Sequence, residues 1–214
     1  MTSAAGVAAA TPIDAPGTAD LGFVDDRAWF DRSAAEVAPE LLGMILVHDT
    51  PHGRIAGRIV EVEAYLGPED LAAHSSRGRT PRNATMFGPP GHLYVYRVYG
   101  IHDCCNVVCG PDAKPEAILL RAAALSDGEE LARTRRGAIT GHRLASGPGN
   151  LTRAFDIDRR LDGADLLAGP VRVARGERPG TVTRTPRIGV GYAGDWAARP
   201  LRYLIADDPH RSRP

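Results

Sequence analysis

Two glutamates lie two residues apart in an otherwise apolar stretch, Ile-Val-Glu-Val-Glu-Ala-Tyr, at residues 59–65. Side chains alternate between the two faces of a strand, so Glu61, Glu63 and Tyr65 share one face and the apolar residues share the other. A carboxylate on such a face can remove a proton from an attacking water. The alternative is a solvated face of a half-buried sheet, and the pattern alone does not separate the two.

Four of the six tyrosines lie within residues 59–106, although aromatic residues make up only 6% of the chain. Tyr94 and Tyr96 fall on one face of a predicted strand, which is ordinary for half-buried tyrosines. Tyr99 lies beside Gly100 at a predicted turn, where a large ring would project from the tip. Such a ring suits a wedge that fills the gap left when a base leaves a duplex.

A carboxylate and several aromatic rings are what an enzyme needs if it acts on a nucleobase that must first leave the duplex. The flipped base has two flat faces on which aromatic rings can stack, at about 1–3 kcal/mol per base. Hydrolysis of the glycosidic bond then needs one general base, and a carboxylate also stabilises the oxocarbenium-like transition state. The presence of His74, the aromatic strand and Asn106 downstream favours this chemical interpretation of Glu63 over a solvated face.

The formal net charge is zero, which by itself argues against a nucleic-acid partner. Residues 1–26, however, hold four acidic and no basic residues, which leaves 26 basic against 22 acidic residues in the remainder. Lys114 is the only lysine. Arginine suits phosphate recognition, but a GC-rich genome produces the same bias. The basic clusters at 133–160 and 172–202 are likewise either solvated faces or phosphate contacts.

The three cysteines, Cys104, Cys105 and Cys109, match neither a disulfide framework nor a zinc-ligand pattern, and we interpret them as reduced strand residues. We find no metal or nucleotide motif and expect no cofactor. No apolar run approaches the roughly 20 residues of a membrane span, and the Ala-rich start lacks the basic region of a signal peptide. We expect a cytoplasmic bacterial protein, associated with the nucleoid through its substrate and without a membrane partner.

The order of predicted elements indicates an α+β fold, with a curved antiparallel β-sheet core, flanking helices and a protruding β-hairpin in a single compact domain. Ser33 and Glu36 form a capping-box pattern that predicts a helix ending at Gly43. Strands are predicted at 44–48, 55–65, 92–98, 103–109, 117–122, 187–192 and 201–206, and further helices at 128–136 and 151–155.

Composition divides the chain into three parts. Residues 1–21, rich in Ala, Thr, Gly and Pro and without periodicity, predict a disordered tail. Residues 22–207 form the predicted domain, and 208–214 a short polar C-terminal tail. All of the residues singled out for chemistry lie within 22–207.

Six motifs occur together over most of residues 31–203. They are GRIVEVEAYLGPEDLAAHSS (57–76), RTPRNATMFGPPGHLYVYRVYGIH (79–102), CCN (104–106), LLRA (119–122), SGPGNLT (146–152) and RIGVGYAGDWAARPLRY (187–203). In these motifs and in their order the chain resembles the alkyladenine (3-methyladenine) DNA glycosylase family. The first two motifs are long and distinctive, so they carry most of the resemblance.

The resemblance implies roles for the residues of a pocket. Glu63 corresponds to the general base that activates the water, and Arg121 to the arginine that helps to hold that water. Tyr65 and Tyr96 correspond to the rings that sandwich the flipped base. His74 completes the pocket wall.

The resemblance also implies how the duplex and the correct base are recognised. Tyr99 corresponds to the intercalating tyrosine, and Asn106 to the asparagine that clashes with the exocyclic amino group of normal guanine. The family is monofunctional, and Lys114 lies outside the matched positions, so no Schiff-base nucleophile is expected. Ile101 and His102 depart from the bulkier or different residues that relatives often have beside the wedge, so lesion searching is expected to differ.

We therefore expect a monofunctional DNA glycosylase of base-excision repair, acting as a monomer on double-stranded DNA that contains a damaged purine. Its substrates would be alkylated or deaminated purines of the 3-methyladenine, 7-methylguanine, hypoxanthine or ethenoadenine type, and its product an abasic site. One alternative is a lesion-recognising DNA-binding protein without turnover. Another is an enzyme on free nucleosides, which Tyr99 argues against because a wedge has no purpose without a helix.

Overall fold

The computed structural model of the protein describes residues 21–110 and 114–212. An open eight-stranded sheet, antiparallel at every pairing, organises this part of the chain, and the α-helices pack around it. The strands are β1 (Ile45–Thr50), β2 (Gly53–Tyr65), β3 (Leu93–Val98), β4 (His102–Cys109), β5 (Glu116–Asp127), β6 (Val171–Ala174), β7 (Val182–Thr185) and β8 (Arg202–Ile205). The helices are α1 (Ala34–Leu41), α2 (Glu129–Arg136) and α3 (Pro148–Phe155). The α+β fold expected from the sequence is confirmed.

Strand β2 is the centre of the sheet. The strand order is β3-β4-β5-β2-β1-β6, and β8 pairs with both β2 and β7. The first half of β2 pairs with β1, with Arg58 opposite Ile45. Its second half pairs with β8, with Glu63 opposite Arg202. The two glutamates of β2 are therefore flanked by β5 on one side and by a strand from the end of the chain on the other.

Alternation of side chains gives the sheet two chemically different faces. Val62 of β2 and Leu120 of β5 belong to the main hydrophobic core, which α1 and α3 also enter. Neighbouring positions on the same strands, such as Glu63, Leu119 and Arg121, point to the opposite face. That second face carries the candidate site.

The pairing of β2 with β5 is irregular beside the glutamates. On β2, Val60 lies between Ile59 and Glu61 and has no partner on β5. On β5, Arg121 lies between Leu120 and Ala122 and has no partner on β2. The two bulges compensate each other, so the register is the same before and after them. Bulges next to active sites re-aim side chains, and these two coincide with the charged residues of the sheet.

Most of the predicted elements are confirmed, including the β3–β4 hairpin and both hydrogen bonds of the Ser33–Glu36 capping box. The predicted strand at 187–192 is wrong. This segment turns at Gly189, whose φ is 77°, and continues as the 3₁₀ helix Gly191–Ala198. A left-handed backbone angle is incompatible with a regular strand, and glycine adopts it without steric cost.

The two predicted tails differ in how much of each is described. Residues 1–20 lie outside the described residues. Residues 208–212 are described, and hydrogen bonds link them to the domain: Arg58 donates to Asp208 at 2.7 Å, and the backbone N–H of Ser212 donates to Glu61 at 2.6 Å. Across the described residues, no helix is long and apolar enough to cross a membrane.

Glu116, at the start of β5, fixes the start of α1 by direct hydrogen bonds. Its fully buried carboxylate accepts the Ala34 N–H at 2.6 Å and the Ser33 hydroxyl at 3.0 Å. We expect Glu116→Ala to lower the free energy of unfolding by about 1–3 kcal/mol, because buried donors lose their acceptor. Urea denaturation measures the change.

The matched control is Glu129→Ala, which removes a half-exposed carboxylate that pairs with Arg133 one helical turn away. An exposed pair of this kind contributes about 0.5 kcal/mol or less. Equal losses in the two variants would contradict the anchoring role of Glu116.

Candidate active site

A cavity of 490 Å³ opens on the face of the sheet opposite the main core. Its walls come from β2, β3, β4 and β5, from the 3₁₀ turn His74–Arg77 and from the loop that follows β7. The volume falls in the range of small-molecule pockets, about 300–1,000 Å³. Six of the residues predicted for the site line it: Tyr65, His74, Tyr96, Tyr99, Asn106 and Arg121.

Glu63 lies directly behind the wall of this cavity and is fully buried. The Tyr65 hydroxyl donates to its Oε2 at 2.9 Å, and the Ile188 backbone N–H donates to its Oε1 at 2.8 Å. The Arg121 guanidinium lies 3.3 Å from Oε1. All three partners of Glu63 line the cavity, so the carboxylate borders the space in which a ligand would lie.

Glu61 is also fully buried, so the interpretation of this face as solvated is wrong. Its Oε1 accepts from Arg121 Nε at 2.7 Å and from Arg202 Nε at 2.8 Å, and Ser212 supplies two further hydrogen bonds. Glu61 is therefore held by donors at both carboxylate oxygens. Neither glutamate is itself part of the cavity lining, but all three partners of Glu63 line the cavity, whereas of the partners of Glu61 only Arg121 does.

Arg121 lies between the two carboxylates. Burial disfavours the guanidinium charge, but Glu63 and Glu61 outweigh burial, so the pKa of Arg121 lies above its ordinary value. For Glu61, burial is likewise outweighed by the Ser212 N–H and by Arg121, and the pKa of this carboxyl is lowered. Arg121 and Glu61 thus keep their charges in a buried setting because both are paired and hydrogen-bonded.

An aromatic wall forms one side of the cavity. Tyr94 and Tyr96 stack with ring centroids 5.3 Å apart, and His74 meets Tyr96 edge to face at 4.5 Å. The His74 Nδ1 and the Tyr94 hydroxyl are 3.0 Å apart. Burial, together with the charge of Arg82, lowers the pKa of His74 to about 4. This wall is therefore neutral at physiological pH.

Tyr65 is supported from behind by a second buried ion pair. The guanidinium of Arg187 lies 4.7 Å from the centre of its ring, within reach of a cation–π interaction. Arg187 in turn pairs with Asp70, with Nη2 2.8 Å from Oδ1, and both side chains are fully buried. Burial and the nearby Glu63 raise the pKa of Tyr65 well above its ordinary value. Its hydroxyl therefore stays protonated and donates to Glu63.

Asn106 lies on β4 beside the aromatic wall, and its amide is fixed. The Nδ2 group donates to the Tyr94 carbonyl at 3.2 Å, and the residue is buried. Cys104, two residues earlier on the same face, also lines the cavity. Burial raises the pKa of Cys104 to about 11, so its thiol adds no charge to the site.

Tyr99 stands at the tip of the β3–β4 hairpin with 91% of its surface exposed. Its φ is 51° and that of Gly100 is 68°, and the Ile101 N–H donates to the Val98 carbonyl at 3.1 Å. Two successive positive φ angles are typical of the type I′ turn, which favours Asn and Gly. A bulky residue in the left-handed region is strained, and such strain is characteristic of functional positions.

The most exposed large apolar side chains of the described residues surround this opening. Tyr99 and Ile101 (75% exposed) form the hairpin tip, while Tyr192 (68% exposed) lines the cavity itself. Leu71 (56% exposed) lines a neighbouring groove that shares His74 and Tyr94 with the cavity. Apolar groups clustered on a surface in this way mark a binding face.

The sequence analysis had already named the seven predicted site residues, which are Glu63, Arg121, Tyr65, His74, Tyr96, Asn106 and Tyr99. It did not identify the residues that hold them in place. Asp70 and Arg187 lie within the motifs of the resemblance, yet nothing in their local pattern indicates that they pair. Ser212 falls in the predicted C-terminal tail and carries no sequence signal. Among the described residues, no group of three or more His, Cys, Asp or Glu side chains is arranged to hold a metal ion.

Comparison with known proteins finds a family model and several relatives that match most of the chain. A family model described as methylpurine-DNA glycosylase matches residues 28–209. A protein of Streptomyces avermitilis is 49% identical over 189 residues, covering 86% of this chain and 88% of its own. One of Methanocella arvoryzae is 47% identical over 185 residues, covering 86% and 92%. One of Burkholderia lata is 49% identical over 192 residues, covering 86% and 91%. All three are provisionally named 3-methyladenine DNA glycosylase.

The chain belongs to the methylpurine-DNA glycosylase family. It is therefore a DNA glycosylase, a hydrolase of DNA repair, and the resemblance read from its motifs is confirmed. The residues to which the resemblance assigned roles line the cavity or, in the case of Glu63, border it.

The lowered pKa of His74 makes stability depend on pH in a defined window. The unfolded chain takes up a proton below about pH 6.5, whereas the folded protein does so only near pH 4. Acidification through this window therefore favours unfolding. We expect the stability of wild type relative to His74→Gln to fall between pH 6.5 and 4, by on the order of 1–3 kcal/mol.

Parallel urea titrations of both proteins at several pH values isolate this contribution, since all other groups are common to the two. A difference in unfolding free energy that stays constant from pH 7 to 4 would show that His74 is not buried in its neutral form.

Proposed function

We propose that the protein removes alkylated or deaminated purines, of the 3-methyladenine, 7-methylguanine, hypoxanthine or ethenoadenine type, from double-stranded DNA. The damaged nucleotide flips out of the duplex into the cavity, and a water activated by Glu63 hydrolyses the N-glycosidic bond. The product is an abasic site. A DNA substrate associates the protein with the nucleoid in the cytoplasm.

One observation carries this proposal. Glu63 is a buried carboxylate bordering an aromatic cavity, and an exposed, strained tyrosine stands at the same opening. A carboxylate alone would suit many hydrolases. The exposed ring of Tyr99 at the mouth of the cavity adds the requirement for a duplex, because a wedge replaces a base that has left the stack.

Glu63 has the surroundings that a general base needs. Arg121, 3.3 Å from Oε1, neutralises much of the cost of burying the carboxylate and can hold the attacking water next to it. Proton transfer to a positioned base of this kind contributes about 10²–10⁴-fold to the rate. The same negative charge stabilises the positive charge that develops on the sugar.

The cavity supplies two kinds of contact to the extruded base. The rings of Tyr65 and Tyr96 offer stacking surfaces, and His74 supports Tyr96 edge to face. Asn106 supplies a fixed amide at the pocket wall, and we propose that it clashes with the exocyclic amino group of normal guanine. Because stacking tolerates many bases, the selectivity comes from that clash and from the lower cost of unstacking a damaged base.

All the residues of this mechanism come from one chain, and we expect the protein to act as a monomer. The alternative of lesion binding without turnover is opposed by the pairing of Glu63 with Arg121 next to the cavity. A protein that only recognised a lesion would have no need of a buried carboxylate at this position, since its burial is costly.

Glu63→Gln should abolish excision while leaving the fold intact, because the amide oxygen can still accept from the Ile188 N–H and the amide NH2 can donate to the Tyr65 hydroxyl, but the amide cannot take a proton from water. With a duplex carrying one hypoxanthine or ethenoadenine, we expect the single-turnover rate to fall by about 10²–10⁴-fold. Alkali cleavage of the abasic product measures the rate, and a gel-shift titration measures binding.

Glu69→Gln, a change at an exposed glutamate, is the matched control and should excise at the wild-type rate. If wild type bound the lesion but formed no more abasic product than Glu63→Gln, the protein would be a lesion-binding protein and the catalytic proposal would fail.

Tyr99→Asn tests the wedge without distorting the turn, because asparagine tolerates the left-handed backbone that tyrosine adopts under strain. We expect excision from duplex DNA to fall at least tenfold more than excision from a single strand of the same sequence, with thermal stability unchanged or raised. Loss of the ring matters only where a gap in a helix must be filled.

Comparable losses on duplex and single strand would remove the wedge assignment. They would favour an enzyme that acts on bases outside a helix, free nucleosides included. Tyr192→Asn, at an exposed tyrosine on the cavity rim rather than the hairpin tip, controls for the general loss of aromatic surface.

A further inference from the structure

The last described residues of the chain return to the underside of the site. After β8 the backbone turns at Asp207, whose φ is 57°. Asp208 then accepts a hydrogen bond from Arg58 at 2.7 Å, and the Arg211 carbonyl accepts one from the Ser146 hydroxyl at 2.8 Å. We call residues 207–212 the C-terminal strap.

The strap brings Ser212 into the buried charge cluster. The Ser212 N–H donates to Glu61 Oε2 at 2.6 Å, and the hydroxyl donates to Oε1 at 2.8 Å. The same hydroxyl accepts a hydrogen bond from Arg121 Nη2 at 3.2 Å. One serine therefore contacts both the structural carboxylate and the arginine that borders the cavity.

These contacts determine which N–H groups of Arg121 face Glu61 and which face Glu63. Its Nε donates to Glu61 and its Nη2 to Ser212, while Nη1 is directed at Glu63. A guanidinium favours two parallel hydrogen bonds to a single carboxylate. With Oε2 of Glu61 already taken by the Ser212 N–H and Nη2 taken by the Ser212 hydroxyl, that arrangement with Glu61 is blocked.

We propose that Ser212 is a positioning residue for the glycosylase reaction: it clamps Glu61 and Arg121 so that the guanidinium presents Nη1 to Glu63 and to the attacking water. The proposal rests on the proposed function of Glu63. It gives the C-terminal strap a role in the reaction that is separate from DNA contact.

The test compares Ser212→Ala with Ser212→Thr, which keeps the hydroxyl. On a lesion duplex under single-turnover conditions, we expect Ser212→Ala to excise about tenfold more slowly, equivalent to about 1.4 kcal/mol, with unchanged affinity for the DNA. Ser212→Thr should recover the rate to within about threefold, or about 0.7 kcal/mol. The acid limb of the pH–rate profile should move to higher pH in Ser212→Ala, because Glu61 loses a donor and binds a proton more readily, and protonated Glu61 no longer holds Arg121 in place beside Glu63.

Ser146→Ala is the matched control, since it removes a serine hydrogen bond that anchors the strap without touching the charge cluster. It should lower thermal stability about as much as Ser212→Ala and leave the maximal rate and the pH profile unchanged. Equal rate losses in the two variants would show that the strap has only a structural role and would overturn the proposal.

A second readout does not depend on turnover. Exchange of the Arg121 Nε–H with solvent, followed by NMR, should be slow in wild type and Ser212→Thr and faster in Ser212→Ala. Unchanged exchange and an unchanged rate in Ser212→Ala would each contradict the clamp. If wild type excised no base at all, the proposed function would fail on its own, and the exchange experiment would still decide whether Ser212 holds Arg121.

Discussion

The structure depends on the burial of charge beneath a single face of the sheet. Glu61, Glu63, Arg121 and Arg202 are all buried within one cluster. Transfer of isolated charges out of water is prohibitively costly, so the cluster exists only because every member has an opposite charge and hydrogen bonds. The carboxylates come from β2, Arg121 from β5 and Arg202 from β8, so the strands that meet at β2 must hold their relative positions. The compensating bulges at Val60 and Arg121 occur where this demand is greatest.

A second constraint concerns the hairpin that carries Tyr99. The proposed wedge requires a rigid hairpin, and this hairpin is held on two sides. Asp103 pairs with Arg97 across the hairpin, and its carbonyl accepts the Thr152 hydroxyl of α3 at 2.7 Å. Gly149 lies against His102 so closely that a Cβ there would be 3.1 Å from the histidine Cβ. Helix α3 therefore buttresses the hairpin, while the strained turn keeps the ring in solvent.

The sequence pattern was sufficient to predict those parts of the fold that depend on interactions between neighbouring residues. Alternation in residues 59–65 assigned Glu63 and Val62 to opposite faces, and the capping box located the start of α1. The strand prediction for residues 187–192 was wrong because the alternating apolar residues of this segment resemble a strand. Its conformation depends instead on the left-handed Gly189 and on the buried ion pair between Arg187 and Asp70. The two residues of this ion pair are 117 positions apart in the sequence, and a local periodicity cannot reveal a contact at that separation.

The choice between Glu61 and Glu63 shows the same limit at the site itself. Both glutamates share a face, a chemistry and complete burial, so strand alternation treats them alike. Their difference lies in where their partners come from. Glu61 is saturated by Arg202 and Ser212, which are 141 and 151 residues away, whereas the partners of Glu63 all border the cavity. Glu61 accepts four hydrogen bonds, two of them from guanidinium groups, and these favour its ionised form and make it a poor base. Arg202 and Ser212 thus give Glu61 a structural setting, and only Glu63 has all of its partners at the cavity, which is the basis for proposing Glu63 as the general base.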